Sequence, residues 1–185
     1  MAASANRDDS KAQRFRDAAL PHIDDAFALA RYLLRDVADA EDAVQECYLR
    51  AFRHFDTFRG GAIKPWLLAI LRNVCRAEYA RRAGPVVTAD FDAEADARTP
   101  LWCNETGSPE TETLRRLDAE TLQRLIAGLP EPFRETLVLR EISDLDYRDI
   151  ATVVGVPVGT VMSRLARARS MLRAAWMTTE KEGRS

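Results

Sequence analysis

The sequence predicts an all-α chain: two small helical domains joined by an acidic flexible linker, the second carrying a C-terminal helix-turn-helix. Three observations support this. Apolar residues recur at intervals of three and four, the period of a helix with one buried face, and no alternation of period two survives beyond a few residues. Charge is blocked: residues 20–56 hold eight acids against four bases, 57–85 six bases against one acid, 86–113 seven acids against one base, and 114–177 ten bases against eight acids. Finally, Pro85, Pro100, Pro109 and the Gly107-Ser108 pair punctuate a stretch with little periodicity, the composition of a linker. The expected division is a domain over 1–84, a linker over 85–113 with a short turn near Leu101-Trp102, a domain over 114–177 and a tail over 178–185.

In the first domain, IDDAFALARYLL places Ile23, Phe27, Ala30 and Leu34 at helical spacing, with Pro21 just before its first turn. DAEDAVQECYLRAFRHF carries Ala40, Ala43, Val44, Cys47, Ala51, Phe52 and Phe55 on one stripe, and Asp39 with Asp42 predicts a capping-box-like start. Its other face holds Glu41, Asp42, Gln45 and Glu46, with Glu46 and Arg50 an i, i+4 pair in the favourable order. Composition alone does not separate a solvated face from a docking face. Gly60-Gly61 predicts a flexible loop before PWLLAILRNVCRAEYARR, a helix starting at Pro65 that turns Trp66, Ile70, Leu71, Val74 and Ala77 inward. Phe55, Phe58, Trp66 and Tyr79 interleave there with Arg53, Arg59, Lys64, Arg72, Arg76, Arg81 and Arg82, a mixture suited to stacking unpaired bases beside phosphates. Taken alone the pattern is weak, since a Trp heading an apolar stripe is more often core.

The second domain predicts helices over Leu114–Ile126, Glu131–Ile142, Tyr147–Val154 and Val158–Trp176. Gly155-Val156-Pro157 separates the last two. Ala151 is small enough for a close helix crossing, Gly155 can take the positive φ of a tight turn, and Pro157 presets the next helix. Val154, Val156, Val161, Leu165 and Leu172 supply the inward face. Thr160, Ser163, Arg164, Arg167 and Arg173 mark the outer face, with Arg169 at its flank. That is the pattern of a helix-turn-helix with a basic recognition helix, as against a helical hairpin with a solvated face.

The net charge of -2 excludes a uniformly basic coat. Cys47, Cys75 and Cys103 form no CxxC pair and His22 and His54 lie far apart, so neither a disulfide scaffold nor a zinc site is expected, and the cysteines read as structural thiols. The longest apolar run, Trp66 to Leu71, has six residues, and MAASANRDDSKAQ holds no leader-like apolar stretch, so no membrane insertion and a cytoplasmic location are expected. No glycine-rich phosphate loop or nucleophile–base constellation is present, so neither an enzyme nor a cofactor is expected.

The strings DAEDAVQECYLRAFRHFDTFRGG, WLLAILRNVCRAEYARR, LPEPFRETLVLREISDLDYRDIA and GVPVGTVMSRLARAR, in that order, resemble the extracytoplasmic-function (ECF) sigma factors of bacterial RNA polymerase. The resemblance covers about two-thirds of the chain. It implies a sigma region 2 domain, a sigma region 4 domain, and a linker whose charge mimics nucleic acid in the polymerase channels. It implies partners: core RNA polymerase through its β′ and β subunits, promoter DNA, and an anti-sigma factor. It implies docking on the β′ coiled coil by Asp42, Gln45 and Glu46. The loop from Gly60 to Lys64 would capture a flipped base of the -10 element, Arg72, Asn73 and Arg76 would contact the melting strand, and Arg81 and Arg82 the upstream duplex. Thr160, Ser163, Arg164, Arg167, Arg169 and Arg173 would meet the -35 element. Met162 and Ala166 stand where relatives can carry basic or aromatic residues, which shifts base readout onto Ser163 and Arg167. The competing class is a helix-turn-helix regulator that does not bind core polymerase.

Overall fold

The structure, a computed structural model, describes residues 2–83 and 120–182. The expected linker, its turn at Leu101-Trp102, Cys103 and residues 114–119 lie outside the described residues. Among the described residues all regular structure is helical: α1 (Ala2–Ala19), α2 (Ile23–Leu34), α3 (Val37–His54), α4 (Ile63–Ala83), α5 (120–128), α6 (Glu131–Glu141), α7 (Tyr147–Val154) and α8 (Val158–Glu182).

α1 is absent from the sequence reading. Its polar composition hides one anchor, Phe15, whose ring meets Phe52 and Phe55 edge-on at 5.4 and 5.3 Å. α2 buries Ala26, Leu29, Ala30 and Leu33 and leaves Ile23 exposed, so its core face is rotated from the expected stripe. The helix ends at Arg35, which takes a left-handed φ of 65°. α3 starts earlier than Asp39: Asp36 is the N-cap, its carboxylate accepting from the Asp39 N–H at 3.0 Å, where the expected Asp39 cap would have left the first turn unmet. Its inner stripe of Ala40, Ala43, Val44, Cys47 and Ala51 is buried as the periodicity requires.

α4 begins at Ile63, with Pro65 inside its first turn. It buries Leu67, Leu68, Leu71, Val74 and Cys75, while Trp66 and Ile70 are half-buried and Ala77 is exposed. The buried arc is displaced because α4 has neighbours on two sides: α2 and α3 of the first domain, and α7 of the second. α2 meets α6 as well. The two domains therefore share one continuous core. α6 is its most enclosed element, buried at every position from Phe133 to Leu139, including Arg134, Glu135 and Thr136.

α7 is capped by Asp146, which accepts from the Asp149 N–H at 2.8 Å, and ends at Gly155 with φ 75°. The Gly155 and Val156 N–H groups both return to the Ala151 carbonyl, at 2.8 and 3.2 Å, closing the inter-helix turn. α8 buries Val161, Leu165 and Ala168 beneath it, and runs past the expected end at Trp176 to Glu182.

Candidate polymerase and nucleic-acid interfaces

The acidic face of α3 is displayed as the stripe argument demands. Asp42 and Gln45 are exposed and Glu46 is half-exposed, opposite Ala43, Val44 and Cys47. Glu46 is bonded by Arg50 at 2.6 Å, which fixes its carboxylate on that face. Leu49 is 53% exposed beside it, an apolar residue that costs solvation unless covered.

The loop before α4 is shaped by Gly60 and Gly61, at φ 90° and 99°, a conformation that disfavours any side chain. Phe58 packs on Trp66 with centroids 5.0 Å apart, so Trp66 belongs to the aromatic wall behind the loop. Lys64 is not free in the loop but bonds Asp25 at 2.8 Å. Asn73 and Arg76 are exposed on α4, and Arg81 is held by Glu78 at 2.6 Å.

Arg72 goes elsewhere. Its guanidinium turns into the seam between the domains and grips Glu135 of α6 with both Nε and Nη2, the latter at 3.3 Å. The two side chains are 12% and 3% exposed. Burial raises the Glu135 carboxyl from its ordinary value, and the Arg72 bonds pull it back. Removing one partner of a buried pair costs about 3–5 kcal/mol because the other charge stays unmatched. Arg164 of α8 is half-buried within electrostatic reach of Glu135, Arg72 and Arg76, and burial lowers its pKa. A second bond crosses the seam: Arg35 donates to the Ala127 carbonyl at 2.7 Å. Arg134 donates to that same carbonyl at 3.0 Å and to Leu129 at 2.9 Å, covering the end of α5. A cavity of about 300 Å³ lies alongside, walled by Arg35, Arg76, Arg134, Tyr79 and Glu131 among others. Sequence reasoning missed Glu135 and Arg35, because nothing local announces partners 63 and 92 residues away, and it missed Arg134, whose nearby partners are backbone carbonyls that no side-chain pattern marks.

The rest of the recognition helix is less open than the spacing suggests. Ser163 is half-buried and its hydroxyl donates to the Thr160 carbonyl at 3.0 Å. Arg167 is half-buried, Arg169 bonds Glu141 at 2.6 Å, and Arg173 is exposed. Among the described residues, no group of His, Cys, Asp and Glu could hold a metal, and no single helix is long and apolar enough to cross a membrane.

Family models place this geometry. Sigma-70 region 2 matches residues 20–84, and Sigma-70, region 4 matches residues 119–172. The RNA polymerase sigma-H factor of Pseudomonas aeruginosa is 37% identical over 146 residues, covering 77% of this chain and 75% of that protein. The ECF RNA polymerase sigma factor EcfG of Rhodopseudomonas palustris strain TIE-1 is 35% identical over 160 residues, covering 86% and 83%. The chain belongs to the ECF sigma factors. As such this sigma factor confers promoter-specific initiation on bacterial RNA polymerase, a non-enzymatic role. Among solved structures, the sigma factor RpoE in complex with the anti-sigma factor NepR from Bartonella quintana superposes with a TM-score of 0.69 at 27% identity, covering 89% of this chain and 98% of that one.

Proposed function

We propose that the work of this sigma factor is divided among three surfaces. The α3 face with Asp42, Gln45 and Glu46 docks on the β′ subunit of core polymerase, with β contacts from the second domain. The Gly60–Lys64 loop and α4, through Lys64, Arg72, Asn73, Arg76, Arg81 and Arg82, read and open the -10 element. α8, through Thr160, Ser163, Arg164, Arg167, Arg169 and Arg173, reads the -35 element. Residues 1–84 and 114–177 serve as the two working domains, 85–113 as linker and 178–185 as tail.

The observation that carries this reading is segregation: α3 displays its acids opposite its buried stripe, while Arg72 and Arg76 of α4 and Arg164 of α8 come within electrostatic reach of one another across the two domains. Acids there suit a protein partner, and arginines suit phosphates and base edges. An anti-sigma factor is the expected restraint, supported by the similar RpoE having been captured with NepR. Run-off transcription with core polymerase over a genomic promoter pool tests the whole. A discrete set of promoters should fire only with the protein present. Asp42→Lys with Glu46→Lys should abolish firing through loss of core binding at unchanged helicity. A pool transcribed equally with and without the protein would leave the regulator reading in its place.

A further inference from the structure

We propose that the cavity walled by α2, α4 and the start of α6 is a binding site for a small phosphate monoester carrying a flat ring, a nucleoside monophosphate by class. The phosphate would sit among Arg35, Arg76 and Arg134, and the ring against Tyr79. The site is separate from the three surfaces described above, and only Arg76 belongs to both.

Arg35 ends α2, Arg76 lies on α4 and Arg134 on α6, and all three wall one cavity of about 300 Å³. Among the described residues, no carboxylate lies within ion-pair distance of any of them. Glu131 is the one acid among the described residues of the wall. Three guanidiniums against one carboxylate leave a charge of +2. A phosphate monoester carries about -1.5 to -2 at pH 7, which matches it.

Two of the three cations are held close together. Arg35 and Arg134 donate to the same carbonyl, that of Ala127, at 2.7 and 3.0 Å. Arg134 is 4% exposed, and its pKa is lowered by burial first and by the like charge of Arg35 second. Its buried Nε meets no hydrogen-bond acceptor. Packing alone gives no return for gathering guanidiniums without a counter-charge. An oxyanion does, because it accepts from several N–H donors at once and cancels their repulsion. Pro130 and Glu131, in the same wall, are the N-terminal end of α6 and add the positive end of a helix dipole.

The rest of the wall indicates what the phosphate is attached to. Tyr79 lines the cavity and is 55% exposed, while Leu129 and Pro130 supply apolar surface. An exposed aromatic ring beside guanidiniums suits a base stacked next to its phosphate. The volume lies at the small end of ligand cavities, room for one nucleotide rather than two.

Isothermal calorimetry on the full-length protein at constant ionic strength tests the site, with adenosine monophosphate, adenosine, ribose 5-phosphate and inorganic sulfate as probes. Adenosine monophosphate should bind one to one, and adenosine should not bind. Ribose 5-phosphate should bind about fivefold more weakly or worse, and Tyr79→Ala should bring adenosine monophosphate down to that level, since each loses the stacked ring. Arg35→Asn suits the left-handed φ of 65° at that position. It should weaken adenosine monophosphate by about tenfold or more through loss of a charged donor. If Arg35→Asn fails to fold, Arg76→Gln, on an exposed side chain, should show the same loss. No binding of adenosine monophosphate, or equal affinity in wild type and both arginine variants, overturns the site. Sulfate bound as tightly as adenosine monophosphate, with no effect of Tyr79→Ala, overturns the nucleotide assignment. DNA supplies phosphates too, so a random-sequence duplex is the last probe. A duplex weakened by Arg35→Asn as much as adenosine monophosphate would give these cations to the DNA backbone and overturn the site, whereas an unchanged duplex affinity keeps them for the small ligand.

Discussion

Cys47 and Cys75 sit at 0% and 2% exposure on facing helices, and burial pushes each thiol up to about 12. For Cys47 the neighbouring Cys75 adds to the rise, and for Cys75 the carboxylate of Glu135 does. At neutral pH both are protonated and weakly nucleophilic. In a Cys103→Ser background, a thiol reagent at pH 8 should label neither cysteine in the native protein, with labelling at least a hundredfold faster in denaturant. Fast native labelling would give one of them a reactive role. The sign of the pH effect follows. Above about 9 the unfolded chain releases these protons while the folded chain keeps them, so stability should fall as pH climbs from 9 toward 12. Cys47 was legible as a core residue because its stripe is local. Glu135 was not, because a charged residue in EPFRETLVLRE reads as solvated until the helix that faces it is known.

The inter-helix turn between α7 and α8 was legible to the residue. Glycine has a conformational reason at Gly155 and no packing reason: its φ is 75°, and a Cβ there would meet nothing within 4 Å. Gly155→Ala should therefore cost about 1–2 kcal/mol of unfolding free energy by denaturant titration, and Gly155→Asn distinctly less, since Asn tolerates the left-handed region. Equal losses would mean that something other than backbone strain is at work. On α8 the exposed side was only half-legible. The 3.6-residue period finds the buried Val161, Leu165 and Ala168, but it cannot foresee that Arg169 turns to Glu141 or Arg164 toward the seam. Arg167 and Arg173 keep distinct expectations. Arg167→Ala should relax base preference at one -35 position, worth ~1–3 kcal/mol of discrimination, whereas Arg173→Ala should weaken binding evenly and flatten its salt dependence. Promoter-library selection with each variant reads this out, and identical unchanged sequence preferences would reduce Arg167 to a phosphate contact.

For the molecule as a whole, the division into two domains and their helical class were legible in charge blocks and periodicity, but their union was not. The face of α4 that meets α7 carries side chains that also suit an isolated first domain, so pattern alone gives no reason to join them. Because α4 is shared, the chain should melt in one calorimetric transition with equal calorimetric and van't Hoff enthalpies. Two resolved peaks would show that the shared core contributes little. The seam has a last consequence, for interchangeability. Sigma domains invite the making of chimaeras, with the promoter specificity of one factor grafted onto the docking half of another. Here Arg72 of the first domain is bonded to a carboxylate of the second, so a graft of either half must supply the matching partner. A foreign second domain without a carboxylate at the place of Glu135 would leave the Arg72 guanidinium in the seam without its counter-charge. Exchanging halves of this protein therefore means re-making its seam along with its specificity.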